Sequence, residues 1–182
     1  MLFRSNTIEA HDQDYITDPT YPYWLIYRNA DFDTAAEKMR FGIFRAFRDR
    51  TLTKANTFQH GRIRVLKSRN IGNNEIINID DYDTYIDDIS NLEVGKYINR
   101  TDCVLVPNLT YYPRACFMPN DCIADGSVAI LTTIPEQTVT KEDLAYYATD
   151  EFCKFYSIAR NRGTRSLNID NNSVFFFGKL KA

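Results

Sequence analysis

Glycine is scarce in this chain, seven residues in 182, and no two stand close enough to build a Gly-rich loop. A strand running into such a loop is what cradles the phosphates of a bound nucleotide, so a nucleotide-binding βαβ unit is not expected. The phosphate-binding P-loop and the G-x-S-x-G nucleophile elbow are missing as well. Histidine occurs twice, as His11 and His60, far in sequence from the four cysteines Cys103, Cys116, Cys122 and Cys153, which form no C-x-x-C pair. These cysteines read as small, reduced core residues rather than zinc ligands. No apolar run approaches the roughly eighteen residues of a membrane span, and the opening MLFRSNTIEAHDQ has no apolar stretch of signal-peptide length. A soluble, cytoplasmic protein with no membrane partner is expected. With 44% apolar and 14% aromatic residues the chain can bury one sizeable core. The expected organisation is an N-terminal arm over 1–36 and one main domain over 37–182.

An excess of positive charge is also lacking. The net charge of −2 argues by itself against a nucleic-acid binder. The average conceals segregation, however: from Lys38 to Arg69 there are ten Lys or Arg and one acid, and from Glu75 to Glu93 seven acids and no base. A second basic cluster, Lys154, Arg160, Arg162 and Arg165, contains no acid. A fold that joined the two clusters would make a cleft for a polyanion, whereas separate solvated faces would not.

Local patterns give the elements. Thr34 with Glu37 has the form of a capping box, and Met39, Ile43 and Phe47 recur every four residues, which predicts a helix of about four turns ending near Asp49. IRVLKS (63–68) alternates like a strand, RNIGNN is a turn, and EIINI alternates again. DCVLVPNL, ACFM and SVAILTTI read as further strands, with Asp125-Gly126 as a turn. Thr140 with Asp143 caps a second helix running through Leu144, Ala148, Phe152, Phe155 and Ala159 to Gly163, and SVFFFG reads as a last strand. The predicted class is α+β: a curled mixed or antiparallel sheet with two main amphipathic helices.

Four segments carry more detail than packing requires: VLKSRNIG (65–72), LVPNLTYYPRACFMPND (105–121), ADGSVAIL (124–131) and ARNRGTRSLNIDNNSVFFFG (159–178). In this order and spacing they resemble the C-terminal specificity region of adenine-specific DNA methyltransferases from type IIS restriction-modification systems, related to the TaqI-like specificity domain. MRFGIFRAFRDRTLTK (39–54) resembles the segment that precedes it there. The likeness covers about two thirds of the chain. The family's catalytic half grips the flipped adenine with an Asn/Asp-Pro-Pro-Tyr motif, and here the nearest text, Asp18-Pro19-Thr20-Tyr21, lacks the second proline. The resemblance therefore implies double-stranded DNA binding without catalysis. S-adenosylmethionine is expected in an associated methyltransferase catalytic domain or subunit, with no cofactor in this chain.

On this reading Arg45, Arg48, Arg50 and Lys54 are positioning contacts to phosphate, which fix register without reading sequence. Arg64 and Lys67 lie on or beside the strand that leads to Arg69 and Asn70, where Arg can read guanine and Asn adenine. The alternative there is a turn in which Asn70 bonds its own backbone. Tyr111, Tyr112 and Arg114 sit between strands beside Pro113, suited to sugar-phosphate contact or insertion at an unstacked step, or to packing with only the tyrosine hydroxyls exposed. Arg160, Arg162 and Arg165 surround a helix C-terminus, where cations are favoured in any case. Two other classes remain open: a metal-dependent nuclease or other enzyme subunit of the same system, using the acids of 75–93, and a protein-interaction domain. A methyltransferase that uses S-adenosylmethionine usually opens with a strand followed by a Gly-rich turn, and with no such turn here titration of S-adenosylmethionine into the chain should give no saturable heat.

Overall fold

The computed structural model describes residues 10–163 and 167–181. In chain order the elements are α1 (Gln13–Ile16), α2 (Ala30–Glu37), β1 (Met39–Arg40), β2 (Phe44–Phe47), β3 (Ile63–Leu66), β4 (Thr84–Ile86), β5 (Cys103–Pro107), β6 (Leu109–Thr110), β7 (Cys116–Phe117), β8 (Cys122–Ala124), β9 (Val128–Thr133), α3 (Lys141–Tyr147), α4 (Asp150–Ala159), β10 (Leu167–Asn168) and β11 (Lys179–Leu180). The class is α+β, as expected. A four-stranded antiparallel sheet runs β2-β9-β5-β7, a three-stranded sheet runs β4-β3-β8 with β3 and β8 parallel, and two short pairs join β1 to β11 and β6 to β10. No helix among the described residues is long and apolar enough to cross a membrane.

The central sheet is covered on both sides, and the period-2 alternation of strands decides which residue faces which layer. Val104, Val106, Ala129 and Leu131 join a core with Phe32, Phe155 and Phe176, while Cys103, Leu105, Val128 and Ile130 join a second core with Val65, Leu66 and Ile123. The first core is aromatic. Phe176 is fully buried, with the rings of Tyr21, Tyr23, Phe32, Phe41, Phe155 and Phe175 at 5.3–6.3 Å. The segment expected as an arm supplies Leu25, Phe32, Ala35 and Ala36 to this same core, and the expected boundary at residue 36 falls inside α2.

Four expectations are corrected. The helix over 34–49 is instead α2 followed by β1 and β2. Asn29 caps α2 earlier than Thr34 could, its Oδ1 accepting from the Phe32 amide at 3.0 Å, and Gly42 at φ +70° breaks any helical continuation so that β2 can pair with β9. The single helix after Thr140 is two. Its capping box is present, but Thr149 opens a second cap by accepting from the Phe152 amide at 3.2 Å. SVFFFG is a 3-10 turn at Ser173–Phe176, because the Asp170 carboxylate accepts from the amides of Asn172 (3.0 Å) and Ser173 (2.7 Å). EIINI contributes only a bridge from Ile76 to Ile71, and the antiparallel partner of β3 lies in Thr84–Ile86, within the acidic segment.

Removing the Phe176 ring should cost about 3–5 kcal/mol of unfolding free energy, by the lost burial plus the cavity. Phe58, 60% exposed, should change stability by less than about 0.5 kcal/mol when truncated. Chemical denaturation of Phe176→Ala and Phe58→Ala reads both.

Candidate nucleic-acid interface

Buried polar groups around residues 67–71 hold a 3-10 turn, Ser68–Asn70, in one position. Asn70 is fully buried. Its Oδ1 accepts from the Lys67 amide at 2.9 Å, and its Nδ2 donates to the Ile77 carbonyl at 3.0 Å and to Asp83 Oδ1 at 2.6 Å. Asn70 is therefore no base reader: the alternative in which it bonds local backbone is the one observed. Arg64 is likewise committed, donating to Asp83 Oδ2 at 2.6 Å, Asn78 Oδ1 at 2.6 Å and the Ile77 carbonyl at 3.1 Å. Desolvation opposes the charge on Asp83, but hydrogen bonds from Asn70, the Ile79 amide and Arg64 outweigh it and hold its pKa below the ordinary 3.8.

Arg114 completes the frame. Its Nε donates to the Ile71 carbonyl at 2.6 Å, Nη2 to the Ser68 carbonyl at 3.1 Å, and Nη1 to Thr110 Oγ1 at 3.0 Å. A guanidinium spent on three carbonyls, the third that of Tyr112 at 3.4 Å, and a hydroxyl is an internal strut, not a phosphate contact. Ser127 fixes the same turn from the other side, its Oγ accepting from the Ser68 amide at 2.9 Å while donating to Asp125 Oδ1 at 2.6 Å.

What projects from this frame is cationic. Arg69 is exposed, with its guanidinium carbon 4.7 Å from the centre of the Tyr82 ring, and Lys67 Nζ lies 4.1 Å from the same ring while donating to the Tyr82 carbonyl. Burial lowers the Lys67 pKa, nearby Lys54 adds to the fall, and Asp125 and Asp83 oppose it. Lys54, Lys67, Ser68, Tyr82 and Ser127 line a cleft of about 920 Å³. Ser68 and Ser127 also line an adjoining hollow of about 480 Å³ with Arg48, Arg50, Asn108 and Leu109. Arg48 and Arg50 flank Asp49, which is buried and accepts from the amides of Thr51 and Leu52 at 2.8 and 2.6 Å, fixing the chain between them. With its amide oriented to satisfy both neighbours, Asn108 accepts from Arg48 Nη1 at 2.6 Å and donates to the Ile169 carbonyl at 3.0 Å. Among the described residues, Arg48, Arg50, Lys54 and Arg69 take part in no ion pair. The far wall of the larger cleft is acidic, with Asp80 and Asp81 exposed on its rim.

The remaining candidates fall elsewhere. Arg45 is exposed on β2 and lines a separate hollow with Lys96, Arg100 and Asp102. In the second basic segment Arg160 is neutralised by Asp170 at 2.8 Å and donates to Asn168 Oδ1 at 2.7 Å. Arg162 is exposed beside the Tyr27 ring, and Arg165 lies outside the described residues. Tyr111 and Tyr112 are exposed over most of their surface, as is Leu109, which was not anticipated because it follows directly on a buried strand. Tyr82 was missed too, since it sits in a run of aspartates that reads as solvated turn. Among the described residues no three His, Cys, Asp or Glu side chains gather as metal ligands. Neither a protein-family model nor a curated protein sequence matches the chain.

Asn70→Ala should cost about 1–3 kcal/mol, since it leaves the Lys67 amide, the Ile77 carbonyl and Asp83 short of partners, while Arg69→Ala should be neutral within about 0.5 kcal/mol. The folded pKa of Asp83 is depressed, so its contribution is complete above the unfolded value near 3.8 and is lost as pH falls through the folded value. Thermal melts across that range should show wild type losing stability on acidification more steeply than Asp83→Asn.

Proposed function

We propose that the chain is a sequence-specific duplex-DNA binding module, the target-recognition part of an adenine-specific DNA methyltransferase in a restriction-modification system. A partner catalytic domain or subunit would flip the adenine and carry S-adenosylmethionine. The observation that carries the reading is that Lys54 lines one hollow and Arg48 and Arg50 an adjoining one, the two sharing Ser68 and Ser127, while Arg69 follows Ser68 in the chain and lies over the Tyr82 ring of the larger hollow, all four free of ion pairs among the described residues. Four unneutralised cations on one rigid face would attract a polyanion, and the acidic rim at Asp80 and Asp81 would limit where its backbone runs. Phosphate contact falls to Arg48, Arg50 and Lys54 and base readout to Arg69, whose turn is held by Asn70, Arg114 and Ser127. The family resemblance of the segments over 39–54, 65–72, 105–121 and 124–131 points the same way, because these segments bear the face.

Neutralising about three phosphates gives a log K against log salt slope of about −3 on duplex DNA. After selection of a preferred site from random duplexes, Arg48→Ala should weaken preferred and unrelated duplexes alike and lower the slope by about one. Arg69→Ala should lose about 1–3 kcal/mol on the preferred site and less on the other. No binding at low salt, or a slope near zero, sinks the proposal.

A further inference from the structure

Leu109, Tyr111 and Tyr112 are 62%, 66% and 70% exposed. Single exposed apolar side chains are ordinary, but three large ones within four residues, on a turn without slack, are not what solubility favours. Thr110 Oγ1 donates to the Tyr112 carbonyl at 2.7 Å and accepts from the Tyr112 amide at 3.2 Å. Arg114 then ties Thr110 to the turn that carries Arg69, and β6 is paired with β10, so the tip and the cationic face are one rigid unit. Leu109 itself lines the hollow that Arg48 and Arg50 flank. An apolar edge bordered by unneutralised cations suits a ligand with a charged backbone and a stacked apolar interior, which is duplex DNA.

We propose that Leu109, Tyr111 and Tyr112 form a wedge that enters a base step of the bound duplex and kinks it. This rests on the DNA-binding reading above and adds the class of duplex that binds best, one with a flexible or weakened step at the wedge. Unstacking a step costs free energy that rigid apolar side chains offset by stacking on the opened bases. Because the backbone of the turn is already held by hydrogen bonds, little loop entropy is lost in presenting it. A mismatch at the step has lost part of its stacking beforehand, so the wedge should favour it.

The test uses the full chain and a duplex carrying 2-aminopurine at a central step, fully paired or mismatched at that step, with fluorophores at its ends. Wild type should bind the mismatched duplex about tenfold tighter, brighten 2-aminopurine and bring the ends closer. The triple variant Leu109→Ala, Tyr111→Ala, Tyr112→Ala, altered only at solvent-exposed positions, should lose the preference and the brightening but keep the salt slope. Arg69→Ala should weaken both duplexes and keep the preference. Binding with a full salt slope but neither preference nor brightening overturns the wedge alone, as does a triple variant that behaves like wild type. Tighter binding of the corresponding single strand overturns it in favour of a base-stacking platform. Absence of any binding removes the DNA reading and the wedge together.

Discussion

All five side chains of Cys103–Pro107 are buried, so both faces of β5 must be covered, and this demand organises the molecule. A strand with one wet face can end a domain, while a strand with none requires a layer on each side. Helices α2, α3 and α4 with the aromatic cluster supply one layer and the β4-β3-β8 sheet supplies the other. The candidate interface lies where these layers meet at the end of the central sheet: Arg48 and Arg50 follow β2, Ser127 precedes β9, and Ser68 follows β3. Cations from different segments come together because the strands that carry them stack there.

At that edge the backbone leaves regular pairing, and side chains take over its hydrogen bonds. Asn70, Arg114, Ser127 and Asp49 each satisfy two or more groups within turns that have no ladder to rely on. A buried polar network of this kind fixes one conformation when it is fully satisfied. The division of labour among the arginines follows from it. Arg64 and Arg114 hold the frame, and Arg69, between them in sequence, is left facing outward.

Much of the strand pattern was legible because burial on two faces writes continuous apolar runs, as in CVLVP and VAIL. The four-residue recurrence of Met39, Ile43 and Phe47 misled because period alone does not reveal a left-handed Gly42 or the long-range pairing of β2 with β9. Within the site, sequence could rank residue types but not their partners. Arg69 and Arg64 look alike in a row of letters, and only the position of Asp83, in an acidic segment read as solvated turn, separates a free arginine from a spent one. Asn70 stood between two roles for the same reason: its carboxamide suits adenine and a buried turn equally, and burial decided.

Met39 pairs with Leu180, and the aromatic core that α2 begins is filled by Phe175, Phe176 and Phe177. During synthesis the rings of Phe32 and Phe41 therefore emerge long before the residues that cover them. Until residues 173–180 have left the ribosome, the growing chain carries an uncovered aromatic surface of the kind that molecular chaperones bind. The central sheet can pair without residues 173–180, but the aromatic core is closed only when they dock.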